Sequence, residues 1–379
     1  MKVCYFTHAS NVTGANRSLL DMLAGLRGTD VEPVVIIRGK GPLKNELEKQ
    51  GIAYTIIPYH STLKSANGIR GVVKKGLNRL SVNRIRRFLE SNHIDLLHNN
   101  SMMCRLGAEA AYLTGIPYIC HLRDMVTEDH RRLFSDEERE KEILQHASSV
   151  ICISQYVYDK FAPWMPGQKN IRVFYNGINA SHYLIRDKEI MTGDTVNISI
   201  IGRISENKRQ MEAVQAMDIL KNKRGYQNLK LQIVGRLPLK RDREYVQRIK
   251  EFIEKQGLKT VEMVPFSNEV IEKQRRMDIG LMCSNHEAMG RSTIESMLAG
   301  NLTIGARAGA TPELIEDGET GLLYESGNPE DLADKIEQAL KDPALSRKIA
   351  AKGQECAIEK YDIRKYGDMI YELYKSVLS

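Results

Sequence analysis

Two carboxylates eight positions apart, Glu287 and Glu295, bracket the stretch "HEAMGRSTIESMLAG" at 286–300. Gly290 stands between them, and Ser292 and Thr293 open an apolar helical run. A helix start leaves free N–H groups and a partial positive charge, which suits a phosphate. Gly290 allows close backbone approach, and the two hydroxyls add donors. Glu295, about one turn into the helix, leans back toward that opening. A carboxylate beside a phosphate is repelled unless neutral donors, such as a ribose diol, occupy it. Glu287, on the other side of the opening, is placed to accept bonds from a sugar. The pair reads as a pocket for a nucleotide diphospho-sugar. The plainer reading is one solvated helix glutamate and one loop carboxylate.

Two further stretches carry chemistry of the same kind. "SIIGRISENKRQ" leaves an apolar run through Gly202 and presents Arg203, Lys208 and Arg209. Arginine offers a planar fork and lysine a point charge, and both neutralise a diphosphate. "HASNVTGANRSLLDML" runs through Gly14 and Ala15 into a helix with Leu19, Leu20, Leu23 and Leu26 on one face. That is a second opening tolerant of phosphate.

The elements that must position these residues alternate along the chain. "KVCYFTH" (2–8), "VEPVVIIRG" (31–39), "AYTIIPY" (53–59), "IDLLHNN" (94–100), "PYICHLRD" (117–124), "SVICIS" (149–154) and "IRVFYNG" (171–177) read as strands. Helical segments such as 14–27, 43–50, 83–92 and 102–114 lie between them. The pattern then restarts with "VNISIIGR" (196–203), "LKLQIVGR" (229–236), "KTVEMVPF" (259–266), "IGLMCS" (279–284), "LTIGA" (302–306) and "GLLYE" (321–325). Near-continuous apolar strands separated by helices mean parallel sheets covered on both faces. Two such series predict an α/β protein of two doubly wound, Rossmann-like domains facing across a cleft, over 1–185 and 190–360. The join falls in the polar stretch 179–195, and the last helix, about 361–379, has the choice of either domain. In such sheets ligands sit beyond the carboxyl ends of the strands, where all three stretches lie.

Composition narrows the function further. The 379 residues include six scattered cysteines without a C-x-x-C pair, read as buried free thiols of a reducing compartment. The nine histidines show no metal-ligand spacing, so no metal is expected. Apolar runs such as "VVII" at 34–37 are far short of a membrane span, and "MKVCYF" enters a strand at once; the chain reads as cytoplasmic. Residues 1–190 hold 26 Lys/Arg against 19 Asp/Glu, whereas 191–379 hold 29 of each. Between Lys49 and Glu90 there is no acid but eight bases: Lys64, Arg70, Lys74, Lys75, Arg79, Arg84, Arg86 and Arg87. From Ile69, the residues Val72, Val73, Leu77 and Leu80 continue one helical face. A basic amphipathic helix fits an anionic membrane surface, the alternative being a solvated helix packed on its own domain. Nucleic acid is not expected, because aromatics are few there and no reading motif accompanies the charges.

"GRISENKRQMEAVQAM", "LQIVGR", "VPFSNEV", "MDIGLMCSNHEAMGRSTIESMLAGNLTI" and "ATPELIEDGETGLLYESGNPEDLADKI" resemble, in this order, the C-terminal half of the retaining glycosyltransferases of family 4, which have the GT-B fold. "THASNVTGANRSLLDML", "HLRD" and "ICISQYVYDKF…VFYNGI" resemble the N-terminal half. The resemblance implies transfer of a sugar from a nucleotide-diphosphate donor, UDP favoured, to an acceptor hydroxyl with retention and without metal or other cofactor. It implies that Arg203 and Lys208 meet the donor diphosphate, with Gly202 at the turn before them. Glu287 would face the sugar hydroxyls, and Gly290, Arg291 and Ser292 would form the phosphate loop. Glu295 would hold the ribose, and His121 would lie next to the donor sugar. Gly14 and Ala15 would line the loop beneath the diphosphate, and Phe266 would contact the base. Arg236 departs from the family's common glycine and is expected to add a phosphate or base contact, or to face solvent. The basic segment 64–87, docking at the inner face of a membrane, would bring in a glycan or lipid-linked acceptor, as for a capsule, cell-wall or O-antigen polysaccharide. A sugar-nucleotide epimerase, or a non-catalytic sugar-nucleotide or glycan binder of the same fold, is the alternative.

Overall fold

The computed structural model describes residues 1–64, 69–130, 133–235, 242–265, 272 and 275–379. They form two compact units, Met1–Ile178 with Ile363–Ser379, and Asn179–Asp362. The first holds strands β1 (Lys2–Phe6), β2 (Glu32–Ile37), β3 (Ala53–Ile56), β4 (Leu96–Asn99), β5 (Tyr118–Leu122), β6 (Ser149–Cys152) and β7 (Ile171–Val173). They pair in parallel in the order β3-β2-β1-β4-β5-β6-β7. The second holds β8 (Val196–Ile201), β9 (Leu229–Gly235), β10 (Val261–Pro265), β11 (Ile279–Met282), β12 (Leu302–Ala306) and β13 (Leu322–Tyr324). Their parallel order is β10-β9-β8-β11-β12-β13.

Both sheets follow from the strand sequences. Every residue of β4, β5, β6, β11, β12 and β13 is buried, as required of parallel strands covered on both faces. Parallel neighbours need long crossovers, and the intervening helices supply them. In each sheet the chain reverses direction of travel at one place, between β1 and β4 in the first and between β8 and β11 in the second. At such switch points the loops beyond the strands part and leave room for a ligand.

The join between the units lies at Ile178/Asn179, earlier than the expected boundary at 185. The reason is packing: Tyr183 is 4% and Ile190 1% exposed, and Ile190 belongs to the apolar core of the second unit. The Lys188 ammonium donates to the Met277 carbonyl at 2.6 Å, fastening this polar stretch to the second unit.

The closing helix, Ile363–Leu378, belongs to the first unit and buries Tyr366, Ile370, Leu373 and Tyr374 among Leu19, Met22 and Leu23 of the Gly14–Gly25 helix. The two helices cross glycine on glycine. A Cβ on Gly25 would stand 2.3 Å from the Ile363 carbonyl oxygen, and one on Gly367 2.2 Å from the Gly25 oxygen.

The basic segment forms one continuous helix, Ile69–Ser91, which joins the amphipathic stretch expected from Ile69 to the helix expected over 83–92. Val72 is 73% exposed, Leu80 56%, Val73 53% and Leu77 44%, so this apolar face is not packed on its own unit. No described helix is long and apolar enough to cross a membrane. Five of the six cysteines are buried, Cys356 is half-buried, and all are free. Among the described residues no three His, Cys, Asp or Glu gather as metal ligands.

Candidate functional site

In the second unit the candidate residues collect at the switch point, on the loops after β8 and β11. The β8 loop passes Gly202 and Arg203, makes a short 3-10 turn at Glu206–Lys208, and enters the Gln210–Asp218 helix through Arg209 at φ 48°. Gln210 pins it: its side-chain amide donates to the Arg203 carbonyl at 2.9 Å. The β11 loop is tied alongside, the Asn285 amide donating to the Asn207 carbonyl at 3.1 Å.

Across these loops the Lys208 ammonium and the Glu287 carboxylate form an ion pair. Glu287 is fixed from behind by the loop after β12. The Ala310 amide donates to its carbonyl at 2.8 Å, and a Cβ on Gly309 would lie 2.5 Å from the Glu287 nitrogen. Only glycine fits at 309.

Gly290, at φ 96°, turns the chain into the Arg291–Leu298 helix, whose N-terminus has no side-chain cap. A left-handed φ at a helix start is an unusual N-cap, and glycine adopts it without a Cβ penalty. The Cγ of Glu287 would lie 3.3 Å from a Cβ on Gly290, so Glu287 borders this helix start directly. The Thr293 hydroxyl, one turn in, is buried without a hydrogen-bond partner. The Oε1 of Glu295 accepts from the Tyr183 hydroxyl at 2.9 Å and pairs with the Arg291 guanidinium at 3.2 Å. Ser292 lines a small pocket with Ser199, Ser296 and Thr303. Lys208, Glu287, Gly290, Arg291, Ser292 and Glu295 thus share one neighbourhood, with Gly202 and Arg203 on the adjoining loop. Arg236 and Phe266 lie outside the described residues.

The first unit carries the remaining candidates. Gly14 begins the Gly14–Gly25 helix, where the Thr13 hydroxyl accepts from the Asn16 amide at 3.4 Å. The Asn16 side chain donates to the Ala9 and Asn11 carbonyls at 2.9 and 2.8 Å, holding the loop after β1. The Asn100 side chain, just past β4, donates to the Ala15 carbonyl at 3.1 Å. The loops after β1 and β4, on either side of this switch point, are thereby joined.

His121 is fully buried in β5, and its surroundings are polar. Its Nδ1 lies 3.0 Å from Nε2 of His98 and 3.1 Å from Nη2 of Arg123. Nδ1 of His98 is 2.7 Å from the Tyr374 hydroxyl. The Arg123 guanidinium also donates to the side-chain oxygens of Asn100, at 2.9 Å, and Asn176. Burial first, and the Arg123 charge second, push both histidines well below the ordinary imidazole range. Nε2 of His121 is buried with no hydrogen-bond partner.

Sequence reasoning passed over His98, Arg123, Tyr183 and Tyr374. One of them left a signal. Arg123 follows His121 by two positions on a strand, which puts both side chains on one face. Tyr374 and His98 are 276 residues apart and only the fold joins them.

Comparisons with known proteins give the family. The sequence family described as "Glycosyl transferases group 1" matches residues 184–355, and "Glycosyltransferase Family 4" matches residues 12–182. The N-acetyl-alpha-D-glucosaminyl L-malate synthase of Bacillus anthracis is 26% identical over 244 residues, 62% of this chain and 61% of that relative. This chain therefore spans about three fifths of that relative's length. The capsular polysaccharide biosynthesis glycosyltransferase CapM of Staphylococcus aureus is 22% identical over 209 residues, 54% of this chain and 53% of the relative. Among solved structures, Anabaena Alr3699/HepE in complex with UDP and glucose superposes with a TM-score of 0.82 at 23% identity, covering 99% of this chain and 100% of that one. Two family matches that between them run from residue 12 to residue 355, on two parallel sheets, make the chain a member of the family 4 glycosyltransferases of GT-B fold.

Proposed function

We propose that the chain transfers a sugar, with retention at the anomeric carbon and without metal, from a UDP-sugar to an acceptor hydroxyl on a glycan or lipid-linked precursor of a surface polysaccharide. The observation that carries the donor half is the Lys208–Glu287 ion pair bordering an uncapped helix start. A diphosphate competing for Lys208 releases the Glu287 carboxylate to accept bonds from sugar hydroxyls. Arg203, Lys208 and the amides of Gly290, Arg291 and Ser292 then share the charge that grows on the departing diphosphate, the main electrostatic contribution to such a reaction. Glu295 holds the ribose diol. Gly202 and the Gly14–Ala15 helix start leave the diphosphate room beside the backbone, and His121 donates to the sugar. The departing phosphate assists deprotonation of the acceptor, so no protein nucleophile is required.

The names of the two curated relatives point to different products, N-acetyl-alpha-D-glucosaminyl L-malate and a capsular polysaccharide. The exposed apolar face of the Ile69–Ser91 helix, set among bases, favours the second class, because a lipid-linked acceptor is met at a membrane surface. On this reading the protein is cytoplasmic and docks peripherally.

A thermal-shift panel with UDP, GDP, ADP and CMP, with and without EDTA, tests the donor half. A ligand at 100 times its Kd adds about 2.7 kcal/mol, enough to move the Tm by several degrees. UDP is expected to shift wild type equally in both buffers and to lose the shift in Glu295→Ala. No shift with any nucleotide would reject the reading.

A further inference from the structure

The polar chain buried around His121 has a direction, and one residue sets it. Arg123 carries N–H groups and no lone pair, so at 3.1 Å from Nδ1 of His121 it can only donate. That nitrogen must be the acceptor, and the proton of the neutral ring is on Nε2. The His98 nitrogen 3.0 Å from the same Nδ1 must likewise be its N–H side. His98 then has its lone pair on Nδ1, which takes the Tyr374 hydroxyl proton across 2.7 Å. The Tyr5 hydroxyl lies 3.3 Å from that of Tyr374 at the end of the run. The opposite polarity would point a His121 N–H at a guanidinium N–H. A doubly protonated ring would add a second cation beside Arg123 in a site closed to water.

At the far end of this run is the Nε2–H of His121, buried and without a partner in the protein. Every other nitrogen of the two rings is engaged. A buried donor left unpaired by its own chain calls for an outside acceptor.

We propose that Arg123, His98 and Tyr374 are positioning residues that lock His121 as its Nε2–H tautomer, so that His121 serves as a hydrogen-bond donor to a substrate oxygen and not as a proton acceptor. That this oxygen belongs to the donor sugar rests on the function proposed above. Tyr374 comes from the closing helix, so the end of the chain sets the state of a histidine in the middle of the first sheet.

The full chain labelled with nitrogen-15 histidine tests the lock directly. Long-range proton–nitrogen spectra, with His121→Asn and His98→Gln for assignment, are expected to show both rings neutral with the proton on Nε2. A proton on Nδ1 of His121, or an imidazolium, overturns the proposal whatever the protein binds. A second arm compares UDP with UDP-glucose by calorimetry in wild type and Tyr374→Phe. Loss of the tyrosine hydroxyl is expected to move the His98 Nδ1 resonance and to weaken UDP-glucose by about fivefold relative to UDP, the size of one ordinary hydrogen bond. A ratio unchanged from wild type overturns the role of Tyr374. Both rings as Nε2–H with no binding of either nucleotide overturns the sugar assignment and the donor reading together, while the lock stands. The wild-type spectrum does not depend on Tyr374→Phe, so a Tyr374→Phe protein that fails to fold leaves the lock open to test.

Discussion

At the scale of single residues, the two histidines that face each other in the first sheet make its stability depend on pH in a stated direction. His98 and His121 stay neutral when folded, because burial and the Arg123 charge resist their protonation. Once unfolded, each takes a proton as the pH falls through about 6.5. Unfolding then binds protons, so stability is fully present above that pH and is lost below it. Two such groups steepen the loss toward roughly 2.7 kcal/mol per pH unit. The single tryptophan, Trp164, lies in the first unit, and its fluorescence reports that unit alone. The denaturant midpoint by Trp164 fluorescence is expected to fall between about pH 6.5 and pH 5.5, and His98→Gln to fall about half as steeply. Parallel slopes for the two proteins would show that the rings are not held neutral.

At the scale of elements, the Ile69–Ser91 helix carries Lys74, Lys75 and Arg79 beside Val72, Val73, Leu77 and Leu80, with no acid before Glu90. Wild type is expected to sediment with phosphatidylglycerol vesicles at low salt, to leave them as salt rises, and to ignore neutral vesicles. Val72→Ser with Leu80→Ser should lose the vesicles and keep the Tm, since both side chains already face water. Vesicle binding that survives this double change would move the docking surface elsewhere. The elements themselves were the most legible part of the sequence. All thirteen described strands fall inside the expected segments, because most are short apolar runs, and such runs need no tertiary information to be seen. The loops after β8 and β11 were legible for the same reason, being the punctuation between those runs. What could not be read was which partner each charge takes. Lys208 and Glu287 stand 79 positions apart, and Tyr183 and Glu295 112 apart, so those contacts exist only once the strand order is fixed. The polar stretch 179–195 read as a linker because its two anchors, Tyr183 and Ile190, are isolated apolar residues without a period.

At the scale of the whole molecule, the first unit is discontinuous in sequence, and its two parts meet at the Gly25–Gly367 crossing. Gly367→Ala would drive a methyl group against the Gly25 carbonyl, and overpacking of this kind costs about 1–3 kcal/mol. The Trp164 midpoint should drop accordingly, while a UDP-induced thermal shift of the second unit should persist. Equal loss of both would mean that the two units unfold as one. The crossing also dictates an order of assembly. A ribosome releases residues 1–178 long before 363–379, so the amino-terminal sheet waits with its Leu19–Met22–Leu23 face uncovered and His98 without its tyrosine. The second unit, contiguous over 179–362, is complete first. Domains of a nascent chain ordinarily mature in the order of their synthesis. Here the sheet made first is the one finished last, and a polypeptide released early, even by one helix, carries a finished second unit joined to an open apolar face.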